Sequence, residues 1–252
     1  MSHHRIEMTQ VRHAYPDGTL ALQGVSFCIT HGESVALIGG NGAGKSTLLL
    51  HLNGYLMPTQ GEVRVGDIPV TRQTLATIRR AVGMVFQDPD DQLFMPTVYD
   101  DVAFGPLNLG LPLEEVDRRV IAALEQVGLT HVKDKPPYRL SEGQKRSIAI
   151  ATVLSMQPNI LVMDEPTSNL DPRARRNLIN LLKTFTHTKI IATHDLDMVL
   201  DVCERTIILH EGRIAADGVT REILQDEPLL EATHLEKPAR LAVLKNNRDI
   251  CK

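Results

Sequence analysis

A glycine-rich segment followed by lysine and serine carries the most specific chemistry in this sequence. It matches the pattern G-x-x-x-x-G-K-[S/T], in which glycines let the backbone curl until successive N–H groups point at phosphate oxygens. The pattern predicts that Lys45 reaches the β- and γ-phosphates of a nucleotide and that the Ser46 hydroxyl ligates Mg²⁺. The alternative is a glycine-rich turn without a ligand. The predicted phosphate-binding residues are Gly39, Gly40, Asn41, Gly42, Ala43, Gly44, Lys45, Ser46 and Thr47.

Two neighbouring carboxylates follow the apolar run Ile160–Met163. If that run is a strand, Asp164 at its end lies beside the phosphate loop and holds Mg²⁺, directly or through water. Glu165 is then placed to polarise an attacking water. Strands that end in aspartate are common, so a solvated strand end is the alternative. The phosphate loop earlier in the chain favours the catalytic interpretation.

A histidine after another apolar run is a third candidate. His194 comes directly after Lys189–Thr193, at the carboxyl end of a predicted strand, where open α/β sheets bind their ligands. A neutral imidazole at that edge can contact the γ-phosphate or the attacking water. Because a lone histidine is more often structural than catalytic, this role depends on the fold.

Short apolar runs rich in valine and isoleucine predict the strands that must position these groups. The last three runs lack the alternation of a half-exposed strand, which indicates a parallel sheet buried under helices. Together with the phosphate loop, this predicts an α/β fold with a P-loop core. The predicted strands are Val25–Ile29, Ser34–Ile38, Val82–Phe86, Ile160–Met163 and Lys189–Thr193.

Helical patterns separate these strands. Apolar residues recur at helical spacing between Val116 and Val127, and Ser141 is placed to cap the next helix. Further predictions are a helix at about Lys45–Gly54, one that runs from Ser141 to Met156, and one that begins at Pro172. The Glu211-Gly212 pair between apolar runs predicts a hairpin turn.

The stretch from about Asp88 to Gln157 breaks the alternation of strand and helix and indicates a helical subdomain inserted into the core. We expect one domain over residues 4–236, with this subdomain at about 88–157. The basic segment 237–252 is expected to be a loosely ordered tail.

Composition excludes several classes of protein. Hydrophobic residues make up 42% and charged residues 23% of the 252 residues, a balance typical of a globular domain with a sizeable core. The net charge of −4 argues against non-specific nucleic-acid binding, so we expect no nucleic-acid partner. Cys28, Cys203 and Cys251 show no metal-ligand spacing and are expected to be reduced thiols. We expect neither a secretory signal nor a membrane span, so action at a membrane requires a partner.

The motifs resemble the ATP-binding cassette family, in family order and over nearly the full length of the chain. The segment Gly39–Ser46 is similar to the Walker A loop, and Asp164 and Glu165 are similar to the Walker B aspartate and the catalytic glutamate. The resemblance implies an ATPase that uses ATP and Mg²⁺, with an N-terminal antiparallel β subdomain beside the mainly parallel sheet. It further matches Tyr15 to the aromatic that stacks on adenine, Gln87 to the glutamine that links Mg²⁺ and the attacking water to the membrane partner, Ser168–Asp171 to the D-loop, and His194 to the switch histidine.

The segment Leu140–Gln144 is similar to the family's LSGGQ signature, which meets the γ-phosphate of ATP held by the opposite subunit. The resemblance implies that ATP closes a head-to-tail dimer and that hydrolysis reopens it. Ser141, Gly143 and Gln144 are then nucleotide contacts at the positive end of a helix. Because one chain carries both halves of the site, a homodimer is expected, with a sibling ATPase as the alternative. Glu142 replaces the usual glycine, and we expect its side chain to point along the solvent side.

Beyond Gln87 the sequence closely resembles energy-coupling factor transporters, and most of all the ATPases of cobalt or nickel uptake systems. The resemblance implies a peripheral protein at the cytoplasmic face of the cell membrane, bound to a transmembrane coupling subunit and a substrate-binding membrane subunit. The segment Asp88–Gly105 is expected to line a groove for helices of the coupling subunit. Its expected floor is Leu93, Phe94, Met95 and Phe104, and Asp90 and Asp91 are expected to meet basic residues of the partner.

Other interpretations stay open. The apolar residues of that segment can instead pack the helical subdomain. The chain can be a shared-module ATPase for vitamin uptake, an importer subunit for another solute, or a soluble cassette ATPase without a membrane partner. The lack of a coiled-coil insertion and the acidic balance count against repair and translation factors. Since the histidines are dispersed, we expect a membrane partner to select the transported ion.

Overall fold

The computed structural model describes residues 5–241, so Cys251 and most of the predicted tail lie outside the described residues. The strands in this range are β1 Ile6–Ala14, β2 Leu20–Ile29, β3 Ser34–Ile38, β4 Gln60–Val65, β5 Ile68–Pro69, β6 Val82–Val85, β7 Ile160–Asp164, β8 Thr188–Ala192, β9 Arg205–His210 and β10 Arg213–Val219. The helices are α1 Lys45–Leu52, α2 Leu75–Ala81, α3 Val98–Asn108, α4 Leu113–Gln126, α5 Glu142–Leu154, α6 Pro172–Thr184, α7 Leu196–Val202, α8 Thr220–Ile223 and α9 Glu227–Ala232.

A six-stranded sheet in the order β10-β9-β3-β8-β7-β6 forms the centre of the fold. Five neighbouring strands run parallel, and β10 pairs antiparallel with β9 at one edge. Every residue of β3, β6, β7 and β8 is buried. A strand covered on both faces favours apolar residues on both of them, which is why these runs lack alternation, although Ser34, Thr188 and Lys189 are buried polar exceptions. The predicted parallel sheet is confirmed.

Successive side chains of the central strands enter two different cores. In β7, Leu161 and Met163 pack with apolar residues of α3 to α7, whereas Ile160 and Val162 pack with α1 and the N-terminal strands. The same division holds along the other parallel strands. The sheet is therefore fixed from both sides, and the polar residues after β3, β7 and β8 emerge at one common edge.

The second sheet is antiparallel, with the order β2-β1-β4-β5. It corresponds to the N-terminal β subdomain implied by the family resemblance. The predicted strand Val25–Ile29 is too short, because β2 begins at Leu20 and pairs with β1 along its whole length. Partly buried or exposed residues separate the buried Leu22, Val25 and Phe27 in β2, so hydrophobicity alone marks only part of it.

Three helices form the insertion between β6 and β7, where α3, α4 and α5 pack on one another. The amphipathic α4 buries Val116, Val120 and Leu124 as its spacing predicts. Predicted helix ends differ slightly, because α1 ends at Leu52 and α5 ends at Leu154. Among residues 5–241, no helix combines the length and apolar character needed to cross a bilayer.

The hairpin between β9 and β10 turns at the predicted pair. Glu211 and Gly212 have φ angles of 47° and 73°, which is the pattern of a two-residue hairpin turn with positive φ at both positions. His210 pairs directly with Arg213 across the turn. The Glu211-Gly212 prediction is confirmed.

A buried histidine pair joins α1 to β1. His51 is 0% exposed, and its Nδ1 donates to the carbonyl of Thr47 over 2.7 Å. Its Nε2 then accepts from Nδ1 of His13, 3.2 Å away. Both contacts suit a neutral imidazole, and burial lowers the pKa of His51 to about 4.

This histidine makes stability depend on pH. Between pH 6.5 and 4 the unfolded chain binds a proton that folded His51 does not, so stability contributed by neutral His51 is lost as pH falls. We expect the wild type to lose about 2 kcal/mol more than His51→Gln between pH 7.5 and 5, as measured by urea unfolding. Parallel pH profiles for the two proteins would contradict the assignment.

Candidate nucleotide-binding site

The glycine loop connects β3 to α1 at the carboxyl edge of the sheet. Gly44 is the N-cap of α1 with a φ of 101°, and a Cβ at this position would lie 2.6 Å from the carbonyl oxygen of Ala21. The positive φ and the close carbonyl oxygen both require glycine at position 44 of the motif. The loop therefore delivers the start of α1, with its unpaired N–H groups, directly to the edge of the sheet.

Lys45 lies at the centre of the loop and is only 8% exposed. Its Nζ donates to the carbonyls of Gly39 and Gly40 over 2.8 and 3.1 Å. Burial lowers the pKa of Lys45, and the charges of Glu165 and Asp164 oppose that change. The ammonium is thus oriented over the loop by backbone oxygens and faces two carboxylates.

Those carboxylates are buried at the end of β7. Asp164 is 4% and Glu165 is 7% exposed. Among residues 5–241, Oδ1 of Asp164 and Oε1 of Glu165 have no hydrogen-bond partner. Burial raises the pKa of Asp164, while a hydrogen bond from Ser46 and the charge of Lys45 oppose the rise.

These oxygens fit a bound cation. Two orphaned carboxylate oxygens, the hydroxyl of Ser46 and the amide of Gln87 are oxygen donors, which is the chemistry that Mg²⁺ prefers. Glu165 also has a φ of 48°, unusual for a residue other than glycine. Such strain is concentrated at functional sites, and here it turns the carboxylate toward the cleft.

His194 closes the arrangement from the end of β8. Its backbone N–H donates to Oε2 of Glu165 over 3.2 Å. Its Nε2 lies 3.3 Å from Oε1 of Glu165 and 3.4 Å from Nζ of Lys45. The half-exposed imidazole therefore stands between the loop lysine and the glutamate, within reach of a group bound to either.

These residues line one cleft of about 500 Å³, and the structure brings most of the predicted site together there. Gly39 and Gly40 contribute the carbonyls that hold Lys45. Ser168 also lines the cleft. The lining residues are Tyr15, Thr19, Leu20, Ala21, Asn41, Gly42, Ala43, Gly44, Lys45, Ser46, Thr47, Gln87, Asp164, Glu165, Ser168 and His194.

Tyr15 lies at the side of this cleft after β1. Its hydroxyl hydrogen-bonds Oγ1 of Thr47 over 2.9 Å, and its ring contacts the edge of His13 at 4.9 Å between centroids. The ring is therefore tied both to the phosphate loop helix and to the buried histidine pair. This geometry holds the aromatic ring beside the phosphate loop at one side of the cleft.

The signature residues are elsewhere. Ser141, Gly143 and Gln144 line a separate cavity of about 430 Å³, beside Asp171 and Asn177. Ser141 is the N-cap of α5 and forms a reciprocal capping box with Gln144, with N–H to oxygen distances of 3.3 and 3.1 Å. The predicted N-cap is confirmed. Within one chain, the signature helix does not contribute to the lining of the nucleotide cleft.

Glu142 is the first residue of α5. Its side chain is 60% exposed and lies 3.4 Å from Nζ of Lys145, which also donates to Asp90 over 2.8 Å. This exposure agrees with the expected solvent-side direction, and Glu142 does not line the cavity that contains Ser141 and Gly143. Asp90 is engaged within its own chain by Lys145, so the segment after Gln87 is anchored to the signature helix.

Two arginines near the site have contacts that the sequence did not predict. The guanidinium of buried Arg146 donates to the backbone carbonyl of Gln87. Arg175 forms a two-bond pair with Asp195, the residue after His194. A basic side chain inside a helix carries no sequence signal of its own. Only the contact with a loop that is distant in sequence shows its importance.

A second cleft, of about 660 Å³, lies beside the segment Asp88–Gly105. Phe94 and Phe104 are 63% and 43% exposed, and their rings meet edge to face at 5.1 Å. The prediction that Leu93 forms part of the groove floor is wrong. Leu93 is 8% exposed and packs in the core with the helical subdomain, because it points to the inner side of this segment.

Residues 22–168 match the ABC transporter family, and the chain belongs to it. It is 68% identical to a putative ABC transporter ATP-binding protein of Geobacter sulfurreducens over 94% of this chain and 96% of that protein. It is also 45% identical to the energy-coupling factor transporter ATP-binding protein EcfA of Methanocaldococcus jannaschii, over 97% and 90% of the two chains. The protein is an ATP-binding, ATP-hydrolysing subunit of the transporter type.

Solved structures agree with this fold. The structure of cbiO1 from Clostridium perfringens, described as part of the ABC transporter complex cbiONQ, matches with a TM-score of 0.79 and 40% identity over 96% of this chain and 98% of that one. The ATP-binding cassette MJ0796, solved as a dimer bound to ADP and Pi, matches with a TM-score of 0.79 and 30% identity over 86% and 99%. The predicted fold class is confirmed.

The position of Glu142 predicts a mild phenotype. Because its carboxylate faces solvent, we expect Glu142→Gly to leave ATP affinity unchanged and to alter turnover by less than about tenfold. Nucleotide binding and ATPase assays measure the two effects. Glu114→Gly, in the exposed first turn of α4, controls for the loss of an acidic side chain near a helix start. A hundredfold change in turnover would show that Glu142 acts at the nucleotide.

Proposed function

We propose that this ABC ATPase energises an energy-coupling factor importer that takes up cobalt or nickel ions. The observation that carries the proposal is the division of the ATP site within one chain. The phosphate loop, the acidic strand end and His194 line one cleft, whereas the signature helix begins at another. A complete site then requires a second subunit. The identity with EcfA over 97% of the chain supports the transporter type.

In the proposed site, phosphates bind over the glycine loop, and the ammonium of Lys45 pairs with the β- and γ-phosphates. The N-terminus of α1 adds backbone N–H donors to the same oxygens. Tyr15 presents its ring to adenine, held at its hydroxyl by Thr47. These contacts position the nucleotide with its γ-phosphate toward Glu165 and His194.

Hydrolysis in this proposal transfers the γ-phosphoryl group of ATP to water, with ADP as the leaving group. Glu165 orients the water and accepts its proton, while the P–O bond to ADP breaks. His194 contacts the γ-phosphate beside Glu165, a role supported by the 3.3 Å separation of its Nε2 from Oε1 of that carboxylate. Bound Mg²⁺ would be held by Ser46, Asp164 and Gln87 and would neutralise phosphate charge.

The proposed dimer is head to tail and made of two identical chains. Ser141, Gly143 and Gln144 then meet the γ-phosphate bound by the other subunit, where the start of α5 favours negative charge. The dimeric structure of MJ0796 with ADP and Pi supports such an arrangement for this fold. A dimer with a sibling ATPase is the alternative.

The proposed load is a membrane subunit whose helices occupy the second cleft. Phe94 and Phe104 offer an exposed apolar surface, and Arg79, Arg80 and Asp91 supply charge around it. The position of cbiO1 in a cbiONQ complex supports a multi-subunit assembly. The chain would then be peripheral at the cytoplasmic face of the membrane, with residues 4–236 as its cassette domain, the helical subdomain at about 88–157 and the tail at 237–252.

Vitamin uptake by a shared ATPase module is the nearest alternative, and a soluble cassette ATPase is the more distant one. Across residues 5–241, no three histidine, cysteine, aspartate or glutamate side chains form a metal-binding group. In the proposal, cargo is selected by the substrate-binding membrane subunit. The exposed aromatic pair in the second cleft favours a bound partner over a soluble ATPase, because exposed apolar surface of this kind marks interaction sites.

The dimer mechanism makes a direct prediction for Glu165. Replacing it with glutamine removes the proton acceptor but keeps the size of the side chain, so ATP binds and is not hydrolysed. We expect Glu165→Gln to be a stable dimer in ATP and a monomer in ADP by size-exclusion chromatography with light scattering. A monomer in ATP, with the nucleotide bound, would contradict the mechanism.

Binding of the membrane subunit is tested by a charge placed in the second cleft. Phe104→Asp should abolish recovery of the membrane subunits in pull-downs and reduce Co²⁺ or Ni²⁺ uptake by cells that express the complete system. Leu113→Asp, at a 76% exposed position outside the cleft, is the matched control. Leu93 is unsuitable because a buried aspartate there would disrupt folding.

Both membrane assays have decisive outcomes. If Phe104→Asp forms the complex as well as the wild type does, the membrane subunit does not bind in the second cleft. Uptake of a vitamin without uptake of either ion would assign the chain to the shared module instead. ATPase activity with no dependence on any membrane subunit would favour a soluble role.

A further inference from the structure

Asp195, the residue after His194, connects three separate segments of the chain. Its two carboxylate oxygens accept from Nε and Nη2 of Arg175 in α6, over 2.5 and 2.7 Å. Its Oδ1 also accepts the backbone N–H of Met198 over 2.9 Å and so caps α7. Thr167, two residues after Glu165, also lowers the pKa of this carboxylate.

The environment of Asp195 keeps it charged. Burial raises its pKa, but the contributions of Arg175, Met198 and Thr167 outweigh burial, so the pKa lies below its ordinary value. Its side chain is 20% exposed. A two-bond arginine–carboxylate pair in such surroundings fixes orientation as well as distance. The link between α6 and the residue after His194 is therefore rigid.

The side chain of His194 is held less firmly than that of Asp195. Its side chain is 48% exposed, and its backbone N–H contacts Glu165 over 3.2 Å. The next backbone N–H, that of Asp195, donates to Oγ1 of Thr193 over 3.0 Å. The position of the imidazole thus depends on the backbone of 193–195, which the Asp195 carboxylate holds against α6.

The helix α6, which carries Arg175, begins directly after the segment Ser168–Asp171. Ser168 lines the nucleotide cleft, and Asp171 caps α6 by accepting the N–H groups of Arg173 and Ala174. Asp171 also lines the cavity next to the signature helix. Arg175 lies about one helical turn beyond Asp171, so α6 carries both the cap at that surface and the arginine that binds Asp195.

We infer that Asp195 and Arg175 are positioning residues that couple the segment Ser168–Asp171 to His194, so that they set the rate of hydrolysis and not the affinity for ATP. The inference rests on the proposed role of His194 in that reaction. Neither residue lines the nucleotide cleft, so removing the pair leaves the phosphate loop, Tyr15 and their contacts unchanged.

The chain contains a matched control for this pair. Lys183 of α6 and Asp201 of α7 form a second ion pair between the same two helices, at 3.7 Å, further from His194. Loss of that pair removes a contact between α6 and α7 without touching the residue after His194. A general loosening of the two helices would therefore appear in Lys183→Gln as well.

The experiment compares Asp195→Asn, Arg175→Lys and Lys183→Gln in the full-length protein. Asparagine still caps α7 but loses the charge, and lysine keeps the charge but cannot form the two-bond fork. We expect the first two variants to lower kcat about tenfold, which corresponds to about 1.4 kcal/mol, with KM for Mg-ATP changed by less than about twofold. Lys183→Gln should retain wild-type values for both constants.

A double variant, Asp195→Asn with Arg175→Lys, tests whether the residues act together. Coupled residues should give a kcat no lower than that of the slower single variant. Overturning results are a kcat within about twofold of wild type for Asp195→Asn, an equal loss in Lys183→Gln, or a rise in KM that matches the fall in kcat. Thermal unfolding of all variants distinguishes a fold defect, since a lowered Tm with an unchanged kcat also contradicts the inference.

Glu165→Gln separates this inference from the proposed function. If Glu165→Gln abolishes turnover and Asp195→Asn does not change it, only the coupling between α6 and His194 is wrong. If Glu165→Gln retains turnover, the proposed catalytic arrangement itself fails.

Discussion

Negative charge buried at the end of β7 is the constraint on which the site depends. Apolar side chains of β7 enter the two cores on both sides of the sheet and hold the end of the strand, where Asp164 and Glu165 are 4% and 7% exposed. Two of their oxygens stay without hydrogen bonds in the described part of the chain, an arrangement that costs several kcal/mol unless a cation or donor compensates it. Lys45, which the glycine loop places at the same edge, supplies a compensating positive charge.

The loops around this charge are held by arginines from the helical layer. Arg146 of α5 holds the carbonyl of Gln87, and Arg175 of α6 holds the carboxylate of Asp195. Each contact joins a segment that follows a parallel strand to a helix in a different layer. The carboxyl edge of the sheet is therefore a set of short loops that contacts with α5 and α6 hold in place.

Much of this could be read from the sequence, because the parallel strands are buried on both faces. Runs such as Ile160–Met163 need apolar residues throughout, and the motifs that follow them have fixed spacing. The strands of the second sheet are harder to predict from the sequence, because β1 and β4 mix polar and apolar residues. Their pairing also contains register shifts. The prediction that Leu93 lies in the groove floor is wrong for a related reason. Composition marks a residue as apolar, but only the path of the backbone decides which side it faces.

The capping box at Ser141 affects how two subunits meet. The Ser141 oxygen accepts the N–H of Gln144 through a lone pair, which leaves its own proton to turn toward an incoming oxyanion. The helix start is thus ordered before the second subunit arrives, and docking does not have to unwind a turn or break the cap. In the proposed dimer, little reorganisation entropy is lost at this surface, and the speed of closure is governed by rigid-body diffusion and orientation.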